Sequence, residues 1–278
     1  MQIDLRQSPN YGHFMEKIGW LVGRKDGFQF YIRHFPILGN FIKIPRPQNQ
    51  ISPKTLDNLA KKYRAFAVRV DWSPTKTITL DLTKSLEQIQ NQMKKDARYE
   101  LRKAEKNKIL IKDSRDIETF IKMWHKNAWH RGFWIPIKRE IQAIWEAFGK
   151  DAFIIEAVRG GTKFCQERKG VFFVPLAGAL ILIHDRTAHY FHAASTPEGR
   201  KLSAPYLVVW EAIKETKKRG CQIFDFEGIY DERFPQKSWL GFTHFKKSFG
   251  GKEIEFPGPF IRFYNPIFSL IARLHRLI

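Results

Sequence analysis

Apolar positions along the chain fall into two rhythms, one of period two and one near 3.6, and these separate short strands from medium helices. Residues 11–24 place Phe14, Ile18 and Leu21 on one face and predict a short helix. Strand-like runs follow at Phe28–Phe35 and Asn40–Ile44. The stretch Pro45-Arg46-Pro47 must then leave regular structure, because two prolines fix the backbone and remove donors. Ser52-Pro53 reads as the N-cap and first residue of a helix reaching Tyr63, with a strand at Ala65–Asp71 after it. Residues 84–107 predict one long helix, in which Ile89, Met93, Ala97 and Leu101 recur at i+4 as a buried stripe.

Further on, helices are predicted at Ile117–Arg131 and Ile137–Phe148. Strands Ala152–Val158 and Val171–Pro175 flank a basic loop, Arg159–Gly170, and Gly178–His184 with Ala188–Ala194 reads as a hairpin through Asp185-Arg186. A helix over Ala204–Arg219 stops at Gly220, and strand Gln222–Phe226 follows. Strand, Pro/Arg-bearing loop, helix and strand therefore occur twice, as Asn40–Asp71 and as Ala188–Phe226. That echo points to two related α/β halves.

Charge narrows the partners. The 278 residues carry 48 Lys+Arg against 28 Asp+Glu, a formal +20, which favours polyanions: nucleic acid or an anionic membrane surface. The cations cluster. Lys94, Arg98, Arg102 and Lys106 recur at i+4, a spacing at which like charges disfavour a helix unless an anion offsets them. A hydrophobic content of 43% excludes a disordered chain, and two cysteines, Cys165 and Cys221, exclude a disulfide scaffold. The longest uncharged run, Val171–Ile183, is broken by Pro175 and falls short of the ~20 residues of a spanning helix. Met1–Arg6 has no apolar signal core, so a cytoplasmic location is expected.

The familiar catalytic kits are missing: no phosphate-binding G-x-x-x-x-G-K-[ST], no G-x-G-x-x-G and no H-E-x-x-H. His189 and His192 lie three apart on a strand and are expected on opposite faces, so no metal site is expected. Glu198–Pro205 leads into a long helix, where an acetyl-CoA enzyme would place a glycine-rich cradle for pyrophosphate. Here it holds one glycine and a proline without a donor, whereas Arg200 and Lys201 suit a diphosphate by charge.

Three blocks stand in order toward the C-terminus: A-A-S-T-P-E-G-R-K-L-S-A-P-Y (Ala193–Tyr206), G-C-Q-I-F-D-F-E-G-I (Gly220–Ile229) and G-F-T-H-F-K-K-S-F-G-G (Gly241–Gly251). Upstream, T-I-T-L-D-L-T-K (Thr77–Lys84) precedes Q-M-K-K-D-A-R-Y-E-L-R-K-A-E-K (Gln92–Lys106). Together these resemble the FemA/FemB/FemX family of peptidoglycan bridge-forming aminoacyltransferases, from about Pro45 to Gly251.

The resemblance implies two GNAT-like α/β domains, each a mixed twisted sheet flanked by helices. They are placed at 1–148 and 149–256, with 257–278 as a C-terminal helix. It implies transfer of an amino acid from aminoacyl-tRNA to the stem-peptide amine of a nucleotide- or lipid-linked peptidoglycan precursor, without cofactor or metal. Phe245 and Lys246 match the family pair near the reaction centre. For the proton that the attacking amine must lose, the residues offer Asp225 or Glu227 on the strand end, and substrate phosphate stays open as an alternative. Arg200, Lys201, Arg46 and Tyr206 would bind the precursor, and Lys94, Arg98, Arg102, Lys106 and Lys247 the tRNA. Many members have Pro-Arg-Gly-Pro where this chain has Pro45-Arg46-Pro47-Gln48.

Two rival readings stay open: an acyl-CoA N-acyltransferase of the same fold, and a non-catalytic nucleic-acid-binding protein. The tail 265–278 is amphipathic and basic. Packing against the first domain and peripheral contact with an anionic membrane are both compatible with it.

Overall fold

The computed structural model describes residues 3–129, 137–165 and 168–266. Helix α1 (Pro9–Lys17) is capped by Ser8, whose hydroxyl accepts from the Tyr11 N–H at 3.0 Å. The expected helix over 11–24 ends early: Gly19 turns the chain at φ +89°, and the remainder is strand β1 (Leu21–Lys25). Strands β2 (Phe28–Phe35) and β3 (Gly39–Pro45) follow, then α2 (Pro53–Tyr63), capped by Ser52 as expected, and β4 (Ala65–Asp71).

Strand β5 (Lys76–Asp81) leads into the segment expected as one helix, which is two: α3 (Leu86–Asn91) and α4 (Lys95–Lys106). Lys94 between them is extended and its N–H donates to the Ser248 carbonyl at 2.8 Å. The buried stripe survives the break, since Ile89, Met93, Ala97 and Leu101 are all core residues. The chain continues through β6 (Leu110–Ser114), α5 (Ile117–Trp129) and α6 (Ile137–Phe148).

Strands β7 (Ala152–Cys165) and β8 (Arg168–His184) correct a second expectation. Residues 159–165 and 168–170 are not a loop, because antiparallel pairing runs on to Cys165↔Arg168 and makes a long ribbon. Strand β9 (Thr187–Ser195) joins β8 through Asp185 and Arg186, at φ +45° and +58°, the two left-handed residues a tight hairpin requires. Then come α7 (Pro197–Lys201), α8 (Ala204–Lys218), β10 (Ile223–Gly228), α9 (Leu240–Lys247), β11 (Lys252–Glu255) and β12 (Phe260–Phe263). None of the described helices is long and apolar enough to cross a membrane. The helix expected over 257–278 does not begin there, since residues 260–263 form strand β12 paired with β4; the rest of that expected helix, from 267 on, lies outside the described residues.

The chain divides into two compact units. The first comprises Met1–Lys76, Asp231–Phe234 and Glu255–Ile278; the second, Thr77–Tyr230 and Pro235–Ile254. Residues 77–148, which the sequence reading groups with the first domain, thus fall in the second unit. The fold is mixed α/β, with two mixed sheets ordered β1-β2-β3-β4-β12 and β11-β5-β10-β9-β8-β7-β6.

The duplicated pattern is explicit in the pairing. In the first unit β1, β2 and β3 run antiparallel, β4 lies parallel to β3, and β12 is antiparallel to β4. In the second, β7, β8 and β9 run antiparallel, β10 lies parallel to β9, and β5 is antiparallel to β10. Helices provide both parallel crossovers, α2 in one and α7–α8 in the other, as parallel neighbours demand. One core gathers Phe28, Phe30, Ile42, Leu59 and Val68 beneath α2; the other gathers Phe153, Ile181, Val208, Phe224 and Phe226 beneath α8.

Candidate active site

The second unit's polar centre forms where β9 and β10 run side by side. Asp225 pairs with His189 in register, so both side chains leave the same sheet face, while Phe224 and Phe226 point into the core beneath α8. A bulge then changes the phase of β9. Leu182 pairs with His189 and Leu180 with His192, leaving Phe191 as the extra residue. His189 and His192 consequently share a face, contrary to the strict alternation expected from sequence. That face is the one carrying α5, whose Trp124 ring lies 5.7 Å from the His192 ring.

Glu227, next to last in β10, is in the left-handed region at φ +59°, at another register shift, and is buried. A non-glycine residue held there stores of order 1–3 kcal/mol of strain, a recurrent mark of functional sites. Its carboxylate lies 2.7 Å from His189 Nδ1, and its N–H donates to the Asp225 carboxylate at 2.7 Å. Asp225 also accepts from the Thr77 hydroxyl. His189, Asp225 and Glu227 bring potential ligand atoms within 4.8 Å of one another. Each already has hydrogen-bond partners, so the three form a hydrogen-bonded network able to handle protons.

Lys246 completes the cluster. It lies on α9 rather than in a loop, is buried, and donates from Nζ to the Gly228 carbonyl at 2.7 Å. Burial pushes its ammonium down to about 8, against the opposing pull of the Glu227 and Asp225 carboxylates. Desolvation likewise holds the His192 imidazole down to about 4, with the Glu227 charge pulling the other way. Phe245 packs 4.9 Å from the Tyr206 ring and 5.3 Å from Phe249, so both Phe245 and Tyr206 shape the wall beside α8.

The other expected residues spread over distinct places. Arg200 and Lys201 are exposed at the end of α7, where Arg200 donates to the Ser195 carbonyl at 2.8 Å. Gly199 allows α7 to approach β8: a Cβ there would come within 2.0 Å of the Leu176 carbonyl oxygen. Its role is packing. The N-terminus of α8 faces an acid, since the Ser203 hydroxyl donates to Glu100 and Pro205 lacks an N–H. A carboxylate at that position repels a pyrophosphate and disfavours coenzyme A.

Of the cation stripe, Lys94 stands outside α4 as its N-cap and Lys106 closes its last turn. Arg98 and Arg102 line an open cavity of about 710 Å³ with Gln90, Asn91, Lys95, Asp96 and exposed Tyr99. Lys247 is ion-paired with Glu253 at 2.6 Å. The turn after α9 ties this region to Lys246, since Gly250 is pressed against the Gln92 carbonyl in the α3–α4 break, where a Cβ would meet it at 2.7 Å.

Arg46 belongs to the first unit and is buried there at φ +38°. Its guanidinium pairs with Asp4 at 3.1 Å, bonds the Pro74 carbonyl, and lies 3.7 Å over the Phe256 ring. Nearby Asp71, which burial alone would push up, is held at about 2 by Lys43 and by bonds from Ser73 and Arg69.

The blocks that carry His189, Arg200, Glu227 and Lys246 coincide with a known family. The FemAB family profile matches residues 155–276. Over that stretch, less than half of the chain, it is similar to FemAB proteins. The aminoacyltransferase FemA of Staphylococcus epidermidis is 24% identical over 105 residues, which is 37% of this chain and 25% of that protein. The aligned part therefore spans a quarter of the length of this FemAB relative. A crystal structure of FemX superposes with a TM-score of 0.79 at 16% identity, covering 97% of this chain and 95% of that one. The C-terminal domain of a putative lysylphosphatidylglycerol synthetase from Agrobacterium fabrum reaches 0.57 at 12% identity, covering 98% and 93%. These structures share its fold.

Sequence reasoning reached Lys246, Asp225 and Glu227 but passed over His189. The signal was a strand with histidines three apart facing a D-F-E-G strand end, which only a bulge brings into one cluster.

Proposed function

We propose that the protein is an aminoacyltransferase that moves an amino acid from aminoacyl-tRNA to the stem-peptide amine of a peptidoglycan precursor. The observation that carries this reading is the buried Lys246 ammonium, fixed on the Gly228 carbonyl beside Glu227 within the FemAB-matched region. In the transfer, the amine nitrogen bonds to the ester carbonyl carbon and the bond to the ribose oxygen breaks. Negative charge grows first on the carbonyl oxygen and then on the leaving oxygen. A desolvated cation held in place stabilises both. The attacking ammonium loses two protons on becoming an amide N–H: one is released to water, and the His189–Glu227 pair takes the other and returns it to the ribose oxygen. Asp225 acts as a positioning residue, holding the Glu227 backbone through its N–H.

Arg200 and Lys201 supply exposed charge for the precursor diphosphate, and Tyr206, packed on Phe245, contacts another part of the precursor. Arg98, Arg102, Lys94 and Lys106 give the RNA end a basic strip. The experiment is transfer of radiolabelled amino acid from charged tRNA to purified precursor, nucleotide-linked and lipid-linked in separate arms. Label appearing on precursor with wild type and not with Lys246→Met supports the reading. Transfer from an acyl-CoA donor alone contradicts it.

A further inference from the structure

The first unit carries a feature that transfer chemistry does not use. At the β2–β3 tip the sequence is Phe35-Pro36-Ile37-Leu38, and all four residues are exposed. Ile37 is wholly exposed at 104%, and Phe35 and Leu38 stand at 38% and 39%. The Leu38 N–H donates to the Pro36 carbonyl at 2.8 Å, with Ile37 between them at φ +72°. This is the strained hand of the γ-turn. A β-branched residue at that φ is an outlier, where glycine would be comfortable. The fold thus tolerates strain and full hydration of an isoleucine at one point.

The surroundings of the tip are cationic. Ala65 pairs with Asn40, and the Asn40 N–H reaches the Arg64 carbonyl, so the end of α2 lies at the same end of the sheet as the tip. Exposed Lys61, Lys62 and Arg64 come from that end, and exposed Arg33 from β2, where its guanidinium covers Trp20 at 5.5 Å. Exposed Leu21 pairs with Ile32 on the neighbouring strand. No Asp or Glu occurs from Gly27 to Leu56 or from Asn58 to Val70.

We propose that this tip is a wedge that inserts into an anionic lipid bilayer. Ile37 and Leu38 would enter the acyl boundary, while Arg33, Lys61, Lys62 and Arg64 meet the headgroups. A bilayer fits better than a protein partner because few apolar side chains project. A stable protein interface needs about 800 Å² from each side. What such a projection offers is depth, and the exposed cations from β2 and the end of α2 select negative headgroups. The assignment is independent of the transferase reading, and its test needs no substrate.

The test is co-sedimentation of the full chain with vesicles of phosphatidylcholine, alone or mixed with phosphatidylglycerol. Binding is expected only to the mixed vesicles. Ile37→Gly with Leu38→Ser should weaken it at least about tenfold. Replacing the four cations by Gln should weaken it several-fold per residue. Ile37→Gly alone should raise the melting temperature while lowering vesicle binding, a split that a purely structural tip would not show. The proposal is overturned if the mixed vesicles are not bound, or if the double variant binds them as well as wild type. It is equally overturned if Ile37→Gly does not raise the melting temperature, or if sedimentation equilibrium shows a dimer that the double variant abolishes.

Discussion

The same strand–helix–strand crossover occurs in both units, but its polar residues do different work. In the first unit, Arg46 and Asp71 lie at the ends of β3 and β4, and each is matched by opposite charge: Asp4 for one, Lys43 and Arg69 for the other. In the second, β9 and β10 carry a histidine and a strained glutamate, and α9 sets beside them a lysine whose ammonium burial pushes down to about 8. Charges matched pair by pair hold the backbone in place. A cation left partly uncompensated is available to a substrate's developing negative charge. Topology alone does not distinguish the two; the electrostatics does.

The sharpest way to break this contrast is to remove one cation from each unit. Lys246→Met should cut turnover by 10²- to 10³-fold, typical of losing one oxyanion donor, with no loss of stability. Arg46→Met should leave turnover per folded molecule unchanged. It should also cost about 3 kcal/mol, because Asp4 loses its buried partner. Denaturant midpoints and initial rates on the same preparations check both, and a raised KM with unchanged stability for Arg46→Met would return that residue to precursor binding.

Stability against pH gives the next largest effect. Folding lowers the Lys246 pKa, so between about 8 and its unfolded value near 10.5 the unfolded chain binds more protons. Stability should therefore rise with pH across that window, by up to about 3 kcal/mol, and be lost as pH falls through 8. The rise should vanish in Lys246→Met, as urea titrations at several pH values would show.

Glu227→Gln removes the partner of His189 and a charge that favours the Lys246 ammonium. A loss of turnover of roughly 10- to 100-fold is expected. Smallest is the basic strip. Arg102→Gln should reduce the slope of log affinity for tRNA against log salt by about one, leaving turnover at saturating tRNA unchanged.

Much of the architecture was legible because local signals agree. Ser52-Pro53 marks a helix start, Gly220 a helix stop, and apolar runs of strand length surround both crossovers. Three features escaped. The break at residues 92–94 contains no proline or glycine and is imposed by the Ser248 carbonyl and the turn at Gly250, about 150 residues away. The ribbon of 159–165 and 168–170 reads as a loop because basic residues and paired glycines conceal its pairing with the facing strand. The His189–Glu227 pair depends on a bulge and a left-handed glutamate, and period-two reasoning assumes neither. Lys246 was legible as a residue, but its burial was not, since burial is a property of the assembled unit.

The pH profile of transfer over short times, from pH 6 to 10, tests the central claim most directly. With the Lys246 ammonium as the stabilising charge, kcat/KM should fall about tenfold per pH unit above about 8, and Glu227→Gln should move that fall to lower pH. A profile that stays flat through pH 9.5 in wild type, or one unmoved by Glu227→Gln, would contradict it.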